Sequence, residues 1–236
     1  MTDDQAALAR FPGVARLFPL PNMVFFPQVV QGLHIFEPRY RHMAADALAG
    51  DHLVALVALV DDWEKTYDDK PPIAPVACLG RITQHELLPD GRYHLRLRGL
   101  ARLRLVEEVP SDKPYRVARA EPMPDVVPAD LKQLGTLRRK LADAVLPRFE
   151  PNGPAHRHLT ELFDGEMTLG VLCDMLAYAL PLEQELKQTL LGEPHVSLRA
   201  DLLAHALHLT ESSDAPFDAG AVAAAARKFP PDFSAN

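Results

Sequence analysis

The side chains with the most chemical potential are a run of cations, Arg92, His94, Arg96, Arg98, Arg102 and Arg104. All have the same parity, and alternate residues of a strand share a face, so the spacing could lay a basic stripe along a phosphate backbone. Nucleic-acid surfaces usually interleave aromatic rings for base stacking, yet Tyr93 has the opposite parity. Glu86, Glu107, Glu108 and Glu121 are available to pair with the cations across strands. The expected arrangement is a solvated, charge-paired face, with an RNA-binding domain using the Arg92–Arg104 face as the alternative. His205 and His208 stand at i, i+3, and His156 and His158 form a second pair. A metal site needs a third and fourth ligand, and neither an H-E-x-x-H pattern nor a suitably placed carboxylate supplies them. These read as surface histidines, and no metal or other cofactor is expected. There is no G-x-S-x-G elbow, and Ser197 has a sufficient role as a helix cap. Cys78 and Cys173 lie in apolar segments, where a buried, inert thiol is expected. No catalytic residue emerges. An enzyme acting on a small molecule would need a pocket with convergent polar groups and shifted pKa values.

Composition narrows the field further. The 236 residues suffice for one large domain or two small ones with a proper core. The net charge of −7 and a pI near 5.8 provide no global field for phosphate backbones or anionic lipid. The start is acidic and lacks the apolar stretch of a secretory signal. The longest strongly apolar run, Leu53 to Val60, is far too short to span a bilayer. Two isolated cysteines fit a reducing compartment, so a cytoplasmic protein that avoids membranes is expected.

The elements that must position any site change character near Asp125. Val14 to Val30 reads as two short extended runs around Pro21-Asn22, the second kinked or at an edge because Pro27 cannot donate to a ladder. Pro38 is a good first helical residue, and Tyr40, Met43, Ala44, Ala47 and Leu48 follow at helical spacing up to Gly50. Leu53 to Val60 is apolar on both faces, as a central strand should be. Asp61 to Pro75 is acidic and reads as a mobile loop. Val76–Leu88 and Arg92–Val106 form a hairpin turned by Pro89-Asp90-Gly91, with Gly99 marking a bend in its second strand. Tyr115 to Glu121 is a last strand candidate. From Pro128 the period becomes 3.6. One stripe runs through Leu131, Leu134, Leu137, Leu141, Ala144 and Val145, and a second follows Thr168 through Leu180. Leu182–Leu191 and a segment after Ser197 complete four helices. The predicted organisation is a β-rich lobe at 14–125, a helical lobe at 126–211, and flexible termini at 1–13 and 212–236, with a short helix possible at Ala221–Lys228.

Several blocks together resemble the amino-terminal, substrate-recognition domain of Lon proteases. They are Leu17-Phe-Pro-Leu20 with Val24-Phe-Phe-Pro27, His34-Ile-Phe-Glu-Pro-Arg-Tyr-Arg41, Leu79-Gly-Arg-Ile82, Leu88-Pro-Asp-Gly-Arg92 and Leu97-Arg-Gly-Leu100. Pro114-Tyr115, Glu121-Pro122, Leu180-Pro-Leu182, Lys187-Gln188, Leu190-Leu191, Arg199 and Leu202-Leu203 follow in order. The resemblance implies an α+β fold, a PUA-like β pseudo-barrel followed by an α-helical bundle. It also implies a role in engaging unfolded or partner polypeptides. No glycine is followed by lysine, so the G-x-x-x-x-G-K-[ST] phosphate loop of the Lon ATPase is missing.

The expected function is therefore a non-enzymatic module that binds unfolded or partner polypeptides through an apolar groove between the two lobes. An ATPase or protease is a further possible partner, and nucleic acid is not expected. Phe25 and Phe26 are adjacent in an extended run, so one can be core and the other exposed, or both can fill gaps beneath neighbouring elements. Leu100 carries the same ambiguity. With Tyr40 they are the candidate apolar anchors, and Glu37, Arg39 and Arg98 are the candidate polar rim.

Overall fold

The computed structural model describes residues 3–60 and 70–210. The first part of the acidic loop (61–69), the residues from 211 onward and the possible helix at Ala221–Lys228 lie outside the described residues. The chain divides into two compact units, one up to Met123 and one from Pro124 onward.

The first unit carries helix α1 (Asp3–Ala9), strands β1 (Val14–Leu20) and β2 (Val30–Ile35), helix α2 (Pro38–Leu48), and strands β3 (Leu53–Ala58), β4 (Val76–Leu87), β5 (Tyr93–Glu108) and β6 (Val117–Met123). The strands order β2-β5-β4-β3-β1-β6, and β6 also pairs with the far half of β5. Five strands thus form a closed circuit, and β2 adds to the near half of β5. Closure removes most free edges, but the extra strand keeps this from being a clean barrel. Every pairing is antiparallel except β1 with β3. All six residues of β3 are buried, in keeping with its continuous apolar run.

Two glycines set the geometry of the long hairpin. Gly91, at φ +80°, turns the chain, and Leu88 N–H donates to the Arg92 carbonyl at 2.8 Å across the turn. Gly99 lies directly opposite Gly80 on β4. A Cβ on Gly99 would stand 2.1 Å from the Phe26 carbonyl oxygen, so only glycine admits the chain there. The 26–29 segment uses this approach, with Gln28 N–H donating to the Gly99 carbonyl and Gly99 N–H to the Val29 carbonyl. The register between β4 and β5 shifts at this point, leaving Leu100 as the extra residue of a bulge. Around the bulge strict alternation fails: Leu100 and Arg102 are buried as well as Leu103, whereas Arg104 is exposed.

Two local expectations differ from the structure. Residues 3–9, where the sequence predicts part of a flexible terminus, form a helix whose Asp4 contacts Arg81 and Arg98. The far end of the acidic loop is tied down, because Ile73 bridges Leu59 and Ala74 N–H donates to the Ala58 carbonyl.

The second unit is helical: α3 (Leu131–Val145), α4 (Pro154–Asp164), α5 (Leu169–Ala179), α6 (Gln184–Gly192) and α7 (Val196–Thr210). α3 and α5 both pack on α7. Asp130 caps α3 by accepting from Lys132 N–H, and Thr168 caps α5 by accepting from Val171 N–H. Leu131, placed in the apolar stripe by its spacing, is 80% exposed because α3 begins there and only later turns face inward. Ser197 lies inside the first turn of α7 rather than at its cap. Val196 N–H donates to Val126 O, so a short parallel bridge brings the chain into the helix earlier. α4 had no counterpart in the sequence reading. It buries only Leu159 and Phe163, and Arg138 donates to the Phe163 and Gly165 carbonyls at its open end.

Candidate polypeptide-binding surface

The proposed apolar anchors occupy the interior. Phe25 is 2% exposed and Phe26 fully buried, filling the trough that Gly80 and Gly99 leave open. The Phe25 ring lies where it would meet a Cβ on Gly80 at 3.2 Å. Leu100 and Tyr40 are also buried, so none of these four side chains projects from the surface to grip a client. Tyr40 packs on Phe18 with ring centroids 4.6 Å apart, and the Arg39 guanidinium lies 4.7 Å above its outer face.

The polar candidates remain near the surface. Arg39 is ion-paired with Glu37 at 2.8 Å, an arrangement that opens α2 without a side-chain cap. Arg98 donates to Gln28 Oε1 at 2.8 Å and lies 3.0 Å from Asp4. The basic stripe is not continuous: Arg92 is paired with Asp90 at 2.6 Å, and Arg102 is buried. Cys78 and Cys173 are both buried. Among the described residues, no group of three or more His, Cys, Asp or Glu side chains could hold a metal ion, and no helix is long and apolar enough to cross a membrane.

Two hollows border the first turns of α2. One, of about 380 Å³, is lined by Pro38, Arg41, His42 and Ala45 from the helix and by Leu87, Gly91 and Tyr93 from the hairpin. The helical residues fall at i, i+3, i+4 and i+7, which places them on one face. Arg41 lies so close over Gly91 that a Cβ there would overlap its guanidinium. Leu87 is 59% exposed and Phe36, just before the helix, 40%. This hollow is where the HIFEPRYR block meets the PDGR turn. Leu87 did not stand out by spacing, since it is the last residue of β4 beside the turn.

The other hollow, of about 370 Å³, takes Arg39 and Tyr40 from a different face of α2, together with Pro19, Pro71, Pro110, Pro114 and Tyr115. Burial, and then the hydrogen bond to Asp46, push the Tyr115 hydroxyl up to about 12. The bond from Tyr115, followed by that from Lys113, holds the Asp46 carboxyl below its ordinary range. Beyond the hairpin hollow, His34 stacks edge-on against His94 at 5.0 Å. Burial, helped by Arg92 and His94, lowers the His34 pKa, so this imidazole favours its neutral form.

A profile of the ATP-dependent protease La (LON) substrate-binding domain matches residues 14–208. The chain belongs to this family. Among curated relatives, it is 29% identical over 203 residues to Lon protease 2 of Myxococcus xanthus, an alignment covering 84% of this chain and 24% of that protein. It is 27% identical to the Lon protease of Anaeromyxobacter dehalogenans, over 84% of this chain and 23% of that one. The chain thus spans about a quarter of the length of these relatives. Among solved structures, the Lon N-terminal domain protein from Xanthomonas campestris superposes with a TM-score of 0.58 at 25% identity, covering 81% of this chain and 97% of that one. The N-terminal domain of the Mycobacterium avium complex Lon protease gives 0.63 at 16% identity, over 83% and 98%. The α+β architecture, strands first and helices after, is that of Lon substrate-binding domains.

Proposed function

We propose that this member of the Lon substrate-binding family is a recognition module that binds unfolded or partner polypeptides and does no covalent chemistry itself. The observation that carries the reading is the hollow between α2 and the hairpin. It has an apolar floor, the exposed Leu87 in its wall, and Arg41 and His42 at its polar margin. An extended segment can lodge an apolar side chain there with little demand on sequence, while the margin orients its backbone. The family's description as substrate-binding supports the same reading.

The test is a titration of the folded chain with an unfolded, apolar model polypeptide, followed by fluorescence anisotropy. Binding tighter than millimolar is expected. Leu87→Asp should weaken it by about tenfold or more, since it removes an apolar contact of the hollow and introduces a charge to be desolvated. Absence of binding by the folded wild type, or full affinity in the folded Leu87→Asp variant, would overturn the assignment.

A further inference from the structure

Arg81 and Arg98 face each other directly across the β4–β5 ladder. Like charges at such a cross-strand position repel, and the structure answers with a single carboxylate. Asp4 Oδ1 lies 2.6 Å from Arg81 Nη2 and 3.0 Å from its Nε, and Oδ2 lies 3.0 Å from Arg98 Nε. Gln28 Oε1 accepts from Arg98 Nη2 and holds that guanidinium in place. Arg81 thus grips the carboxylate with two nitrogens while Arg98 approaches it as a second cation, and two guanidinium groups converging on one site favour a carboxylate there.

The element that delivers the carboxylate is weakly attached. α1 has seven residues, and none of them is buried. A helix this short has little stability of its own. The Asp4, Arg81 and Arg98 side chains are 24%, 26% and 42% exposed, and ion pairs of that kind contribute little and are screened by salt. Beside them runs a hollow of about 490 Å³, lined by Ala6 and Ala7 of α1, by Arg10 just after it, and by Asp51, His52 and Thr83.

We propose that the Arg81–Arg98 pair is a docking site for acidic segments of polypeptide, which α1 occupies through Asp4 as a displaceable internal competitor. The inference rests on the polypeptide-binding reading above and names the chemistry of one bound segment. Nucleic acid fits less well. Asp3 and Asp51 line the adjoining hollow, and the cation stripe is interrupted by the Arg92–Asp90 pair and the burial of Arg102. A lone carboxylate fits the two guanidinium groups, whereas a phosphate chain needs a continuous track.

The experiment compares the full chain with its Asp4→Asn variant by fluorescence anisotropy. The probes are a short Asp- and Glu-rich peptide, its Asn/Gln counterpart, a single-stranded RNA and the unfolded apolar polypeptide. Removing the competitor should tighten acidic-peptide binding about three- to tenfold, because the competent state becomes more populated. Arg81→Gln with Arg98→Gln should weaken it about tenfold or more, and the neutral peptide should respond to neither change. If the double arginine variant does not fold, by circular dichroism, the Asp4→Asn comparison decides alone. Unchanged acidic-peptide affinity in Asp4→Asn overturns the inference, as does a gain for RNA without one for the acidic peptide. If the apolar polypeptide still binds in that case, the hollow at the hairpin stands by itself. Loss of all polypeptide binding by the folded wild type would instead remove the reading on which both rest.

Discussion

In the unit up to Met123 the close approach that fixes the hairpin is backbone against backbone, where the Phe26 carbonyl meets Gly99. In the unit from Pro124 onward charge meets charge. Arg199, 1% exposed, reaches Asp125 at 2.7 Å and Asp174 at 3.5 Å, and Asp174 is itself buried. Burial opposes charge on Arg199, but Asp174 and Asp125 outweigh it and raise its pKa. The contrast teaches how each unit settles on one arrangement. Strands exchange hydrogen bonds with neighbours, so one missing side chain at a crossing can fix register. Helices satisfy their own backbones and pack through stripes that tolerate sliding. A buried ionic cluster joining α5, α7 and the Asp125 segment allows a single alignment, a role attested for such groups in some proteins.

The largest expected effect tests the ionic side of this comparison. Arg199→Met leaves Asp174 buried without that cation and should destabilise the helical unit by about 3–5 kcal/mol. Denaturant unfolding gives the size, and hydrogen exchange read by mass spectrometry gives the place. Adding Asp174→Leu should recover most of the loss, and a double variant no better than the single one would sink the idea that a buried carboxylate deprived of Arg199 is the cause. Next comes Gly99→Ala, expected to cost about 1–3 kcal/mol through overpacking, with faster exchange at Gln28 and Gly99. Loss spread evenly over both units would contradict the comparison. Thr168→Ala should lower stability by about 1 kcal/mol by removing the acceptor for Val171 N–H, visible as early fraying of α5.

The smallest effect is a pH dependence in the first unit. The Asp46 carboxyl is held below its ordinary value of 3.8, first by Tyr115 and then by Lys113. A carboxyl with a depressed folded pKa contributes fully above its unfolded value, and the contribution fades as pH falls through the folded one. Asp46→Asn should therefore be less stable than wild type at neutral pH, and the two unfolding midpoints should converge below about pH 4. A gap that persists into acid would assign the difference to packing instead.

Much of the architecture was legible because its signals are local. Pro38 with its helical spacing marked α2, Pro89-Asp90-Gly91 marked the hairpin, and Thr168 marked the start of α5. α4 was missed because two buried residues, Leu159 and Phe163, make too thin a stripe to register. The candidate site was less legible. Glu37, Arg39 and Arg98 lie near the surface as their types suggested, whereas Phe25, Phe26, Tyr40 and Leu100 are interior. Parity cannot see a bulge, and the one at Leu100 breaks the alternation of β5, burying Leu100 and Arg102.

By itself the sequence determined the class of each segment, the change from strands to helices near Asp125, and the family, because propensity, turn chemistry and ordered blocks are properties of neighbouring residues. Only the tertiary structure decided which aromatic residues are covered, that Leu87 and Pro38 line one hollow, and that Asp4 lies between Arg81 and Arg98. Those facts depend on pairing register and on contacts between residues as far apart as Asp4 and Arg98. No short-range pattern encodes such contacts, because they exist only once the chain has closed on itself.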